Sequence, residues 1–166
     1  MRLVERHIIK NTDSMYEECM RVCNLSKNLY NRLLYEVRQE FINNNNYWNY
    51  YDINKKCIRE KLPEYTSLPR KVSNQILKLL DKNWVSFFAL CKKIKRDRYD
   101  SKKVKLPKYK KKNGLFIAIY ELGAISKTLL KNGIVKLSQT DIKIKTDKQN
   151  IRQVRIIPRY GRFIIE

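Results

Sequence analysis

The chain has 166 residues, 43% hydrophobic and 11% aromatic, with 37 Lys and Arg against 16 Asp and Glu and a formal net charge of +21. That length supports a real core, and so many aromatic and branched residues exclude a disordered tail. A charge of that size is tolerated chiefly when a polyanion neutralises it, which argues against a metabolic enzyme and makes nucleic acid the expected partner.

In chain order, Leu3–Ile9 reads as a strand. Ser14-x-x-Glu17 reads as a capping box opening a helix of near 28 residues, with apolar positions at Met15, Cys19, Val22, Cys23, Leu29, Tyr30, Leu33, Leu34, Val37 and Phe41. The helix ends at the asparagines Asn43–Asn46, which favour turns and left-handed backbone. A short second helix starts at Asp52 as N-cap and stops before Pro63. A third starts near Pro69 and buries Val72, Ile76, Leu79, Leu80, Phe87, Leu90, Cys91 and Ile94, with Trp84 and Phe88 on its flank.

After Pro107 the pattern changes to short runs rich in β-branched residues: Leu115–Tyr120, Ile134–Leu137, Ile142–Lys145, Val154–Ile157 and Arg162–Ile165. Lys131-Asn132-Gly133 and Arg159-Tyr160-Gly161 are turn signals between them. Ile142 to Lys145 alternates apolar and basic, so one face is core and the other a charged surface. The N-terminal strand has only the C-terminal strands to pair with. The expected fold is therefore α+β: a small β-barrel over residues 1–11 and 102–166, with a three-helix bundle at 12–101 inserted after the first strand.

The longest apolar run, Leu115–Tyr120, is too short to span a bilayer, and the first residues carry no secretory signal. No membrane partner is expected. Cys19, Cys23, Cys57 and Cys91 match no CxxC spacing, and His7 is the sole histidine, so buried reduced thiols are expected rather than a zinc site. No carboxylate constellation suits two-metal chemistry, and the chain does not read as an enzyme.

Charge concentrates at one place. Residues 92–112 hold Lys92, Lys93, Lys95, Arg96, Arg98, Lys102, Lys103, Lys105, Lys108, Lys110, Lys111 and Lys112 against Asp97 and Asp100. That density, at the junction of helix and sheet, reads as a phosphate-backbone cradle, which positions a polyanion without reading its sequence. Tyr47, Trp48, Tyr50 and Tyr51 offer ring faces that stack on exposed bases or pack between helices. Arg70 and Asn74, one turn apart at the start of the third helix, are side chains able to pair with base edges bidentately.

Several segments together are similar to a known family: Asn24–Asn31, Leu68–Leu77, Asp81 with Trp84 and Ser86–Phe88, Leu106–Tyr109, and Val154–Arg159. In this order, over almost the whole chain, they resemble the N-terminal half of TnpB (OrfB), the insertion-sequence-encoded, RNA-guided DNA nucleases related to type V CRISPR effectors. The resemblance implies a wedge (WED) barrel with an inserted recognition (REC) lobe, binding a guide RNA and duplex DNA that carries a short target-adjacent motif. It implies Tyr51, Lys55, Arg70, Asn74 and Tyr120 as motif readers, and Lys105, Lys108, Lys110, Lys111 and Lys112 as backbone contacts. The family's RuvC nuclease and zinc insertion have no counterpart in these residues. Magnesium and zinc are thus expected only for such C-terminal domains, a possible partner, and no cofactor is expected in this chain. A cytoplasmic, nucleoid-associated, prokaryotic-type location follows. The alternatives are a standalone helix-in-groove DNA-binding protein of transposon or regulatory kind, or a protein-interaction module of a separate nuclease.

Overall fold

Polar signals at the chain's turns decide where each helix begins. The computed structural model describes residues 4–97, 104–148 and 150–166. Helix α1 (Tyr16–Asn44) buries Cys19, Val22, Cys23, Leu29, Tyr30, Leu33, Leu34 and Val37, the stripe that its spacing predicts. Its start differs from expectation. Met15 occupies the N-cap with no side-chain cap bond, because Ser14 is taken up in a turn closed by Asp13, whose carboxylate accepts from the Lys10 N–H at 2.6 Å. Asn45, at φ 48°, ends the helix in the left-handed region, as the asparagine run suggests.

Helix α2 (Tyr50–Arg59) carries the capping box that the first helix lacks. The Asn49 side chain accepts from the N–H groups of Tyr51 and Asp52, and Asp52 accepts in return from the Asn49 N–H. Asp52 is therefore the third helical residue, and the cap lies three positions upstream of where the sequence put it. A short helix α3 (Pro63–Thr66) opens on proline. Helix α4 (Arg70–Asp97) then runs 28 residues. Trp84 is fully buried in it rather than flanking, and Leu90 is exposed. The reason is an aromatic cluster: Phe41, Tyr47, Phe87 and Phe88 all meet the Trp84 ring, at centroid distances of 5.2 to 5.8 Å. Helix α4 packs on α1, α2 and α3.

Six strands follow the expected places. They are β1 (His7–Ile9), β2 (Ala118–Glu121), β3 (Ile134–Lys136), β4 (Lys143–Lys145), β5 (Gln153–Arg159) and β6 (Arg162–Ile165). A five-residue helix α5 (Lys127–Lys131), N-capped by the Ser126 hydroxyl, lies between β2 and β3. Strand β2 starts three residues late, because Phe116 donates its N–H to the Cys23 carbonyl of α1 instead of to a strand.

The strands form an antiparallel sheet of order β1-β6-β5-β2 and a separate β3-β4 hairpin. The N-terminal strand does pair with a C-terminal one, His7 opposite Ile165. Pro158 sits beyond the end of β2, where β5 has β6 alone as a neighbour and a missing N–H costs no pairing. The hairpin is tied by the Ile125–Leu137 bridge to the connection that follows β2. The sheet does not close into a barrel. Between β1 and β4 a cavity of about 650 Å³ lies against Ile8, Ile9 and Lys143–Lys145, and among the described residues no backbone bond crosses it. Both bordering strands are three residues long, too short to wrap a closed ladder. Helices and sheet share one core: the Tyr16 ring meets Phe163 edge-on at 5.2 Å, and α4 packs along β2.

Candidate nucleic-acid interface

An extended strap, residues 104–117, runs antiparallel to α1 and holds the centre of the basic segment. Three α1 side chains fix it. Asn31 donates to the Lys110 carbonyl at 3.0 Å and accepts from the Lys110 N–H at 2.8 Å, copying with one amide the pairing that a neighbouring strand would offer. Lys27, a buried ammonium, donates to the Lys112 carbonyl at 2.7 Å. The Arg38 guanidinium lies over the Tyr109 ring at 5.1 Å. Burying an ammonium costs free energy unless it is satisfied, so the Lys27 contact fixes where the strap runs.

The strap's backbone faces the helix, and its lysines face outward. Lys105, Lys108, Lys111 and Lys112 are exposed, as are Lys92 and Lys93 near the end of α4. None of these six forms an ion pair among the described residues. Lys110 differs. Its Nζ sits 4.4 Å from the Phe116 ring centroid and 4.8 Å from that of Tyr30, and burial lowers its pKa below the usual lysine value. Its ammonium packs on rings, which sets it apart from the outward-facing lysines of the strap. Arg96 is exposed and makes contacts of its own. Lys95 lies within α4, while Arg98, Lys102 and Lys103 lie outside the described residues.

Two of the five expected motif readers, Asn74 and Arg70, lie at one tyrosine. Tyr65 is buried on α3, and its hydroxyl lies 2.8 Å from Asn74 Oδ1 and 3.0 Å from Asn54 Oδ1. Burial pushes its hydroxyl pKa up, and the nearby Arg70 guanidinium partly offsets that. Asn54 in turn lies one turn of α2 from Tyr51, at a spacing of three, and Lys55 follows it in the chain. Tyr51 is 71% exposed and Lys55 is exposed. Tyr120 is not with them. Its ring is fully buried, its hydroxyl has no hydrogen-bond partner among the described residues, and burial raises its pKa. It has no surface to offer DNA, and its expected role as a reader is withdrawn.

The aromatic run divides. Tyr47 packs on Trp84 and Phe88 and donates to Asp81 at 2.6 Å, and Asp81 also accepts from the Tyr50 N–H at 3.1 Å. Trp48 lies under the Lys56 ammonium. Only Tyr51 presents an open ring. The thiols are structural: burial pushes Cys19 and Cys57 up to about 12, far from the thiolate a nucleophile needs. No group of three or more His, Cys, Asp or Glu side chains converges among the described residues.

In a scan against models of protein families and a search of curated proteins, nothing matches this chain. The geometry carries the argument alone. Asn31, Lys27, Tyr65 and Asn54 were not singled out by sequence reasoning. Lys27 could have been: it is a charged residue set among the apolar positions of α1, between Cys23 and Tyr30.

Proposed function

We propose that the chain is a nucleic-acid-binding recognition module of the TnpB-like kind, which holds a guide RNA and a short target-adjacent motif in duplex DNA and does not cut by itself. In this reading the open sheet and the β3-β4 hairpin stand in the place of the wedge domain, residues 12–101 are its inserted recognition lobe, and a RuvC nuclease domain, with its metals, is supplied from outside residues 1–166. One observation carries the proposal: a lysine-rich strap pinned to α1 by Asn31 and Lys27, with its unpaired ammonium groups turned outward. A fixed backbone presents those charges to phosphates with little ordering cost on binding.

The division of labour follows from the chemistry of each group. The strap lysines displace counterions from a phosphate backbone and set the position of the polymer. Arg70 and Asn74, oriented through Tyr65, are the side chains suited to base edges. Base pairing to a guide reads the remainder of the target, while the protein reads shape and the short motif.

The test is fluorescence anisotropy on the purified chain with labelled RNA and duplex DNA across a salt series. Lys111→Ala should weaken every nucleic acid alike and reduce the salt slope by about one unit. A chain that carries no RNA from its host and binds neither RNA nor duplex at low salt would end the proposal. A second reading, a standalone DNA-binding protein using α4 in a major groove, is favoured by Arg70, Lys71 and Lys78, all exposed along that helix. It requires specific duplex binding that survives RNase treatment.

A further inference from the structure

The turn between β5 and β6 breaks three local rules at one point. Its central residues are Tyr160, at φ 25°, and Gly161, at φ 73°, the left-handed pair that a tight two-residue hairpin requires. Gly161 meets that demand freely, with nothing within 4 Å of where a Cβ would stand. Tyr160 does not, because asparagine, aspartate or glycine is the residue this corner favours. The strained side chain is also 102% exposed, so no packing compensates it. Beside it Arg159 faces Arg162 directly across the register. Both are exposed and without an ion-pair partner among the described residues, and like charges so opposed are destabilising.

A free hairpin gains nothing from any of these choices. All three become favourable if the tip meets a polymer of phosphates and flat rings. We propose that Arg159-Tyr160-Gly161-Arg162 is a second nucleic-acid contact, in which the Tyr160 ring stacks on an unpaired base while Arg159 and Arg162 hold the flanking phosphates. It rests on the reading of the chain as a nucleic-acid binder but lies far from the strap in sequence and on another element. The turn holds the ring out on a two-residue loop, so stacking costs little conformational freedom. The guanidinium groups bracket it from both strands and match phosphate geometry in pairs. The class of ligand is single-stranded or flipped-out nucleotide, since a base within an intact duplex offers no face.

The experiment uses the whole chain with two probes of equal length and charge, a twelve-nucleotide single strand and its abasic counterpart. The native protein should prefer the strand with bases by about tenfold, within the range of one aromatic stack. Tyr160→Asn should abolish that preference while raising the melting temperature by about 2–4 °C, because the strain is relieved. Tyr160→Trp should keep the preference. The proposal is overturned if the native chain shows no preference, or if Tyr160→Asn stabilises the fold and leaves the ratio intact. It is equally overturned if Tyr160→Asn instead impairs binding to vesicles one-third anionic in lipid, which would assign the tip to a membrane surface. Strap variants separate this from the broader reading. If Lys111→Ala weakens both strands equally while Tyr160→Asn changes nothing, only the tip proposal fails. If the native chain binds neither strand, both fall.

Discussion

Neighbouring lysines on one strap have opposite chemistry. Lys111 is exposed, whereas Lys110 tucks its ammonium against the Phe116 and Tyr30 rings. Lys110→Met keeps the stem and its packing while removing the charge. It should leave both affinity and salt slope for DNA unchanged, in contrast with Lys111→Ala, and a paired salt titration of the two variants checks this. Composition made the strap visible, because the run of basic residues is written in the sequence. Which lysine is a handle and which a rivet was not, since that depends on a register against α1 set by Asn31, some 79 residues away in the chain.

At the level of elements, the two candidate caps give a direct contrast. The Asn49 side chain holds two N–H groups at the start of α2, so Asn49→Ala should cost about 1 kcal/mol. Ser14 caps nothing, and Ser14→Ala should change the urea midpoint by no measurable amount. Chemical denaturation of both variants decides the matter. The sequence put one cap at Ser14 and the other at Asp52; the first does not form, and the second forms at Asn49 with Asp52 answering it. The difference is local: Asp13 takes the Lys10 N–H and bends the chain into a turn just where Ser14 would have had to cap. Long helices and strand positions were legible because periodicity is a property of consecutive residues. The closure of the strands was not, because it depends on whether two three-residue edges meet across the molecule.

For the molecule as a whole, acid should act through carboxylates that tie distant segments together. Glu18 is held below the usual carboxylate range by its hydrogen bonds to Arg21, which also reaches the Gln139 carbonyl. Glu5 is lowered chiefly by the Thr146 hydroxyl, a bond from the N-terminal segment to the residue after β4. A carboxylate lowered in the folded state contributes stability fully present above its unfolded value, about pH 4.3, and lost as pH falls through the folded value. Stability should therefore decline below about pH 4.5, and Glu18→Gln should flatten part of that decline when melting temperature is followed between pH 6 and 3.

The seam left between β1 and β4 has one more effect. Two unpaired strand borders in one molecule invite a second copy to add its own border, the first step toward an indefinite ribbon. Lys143 and Lys145 stand exposed on either side of buried Ile144 along that border, with Arg6 beside the same gap. Any identical molecule approaching edgewise brings the same cations against them, and mutual repulsion opposes the hydrogen bonding that would join the two.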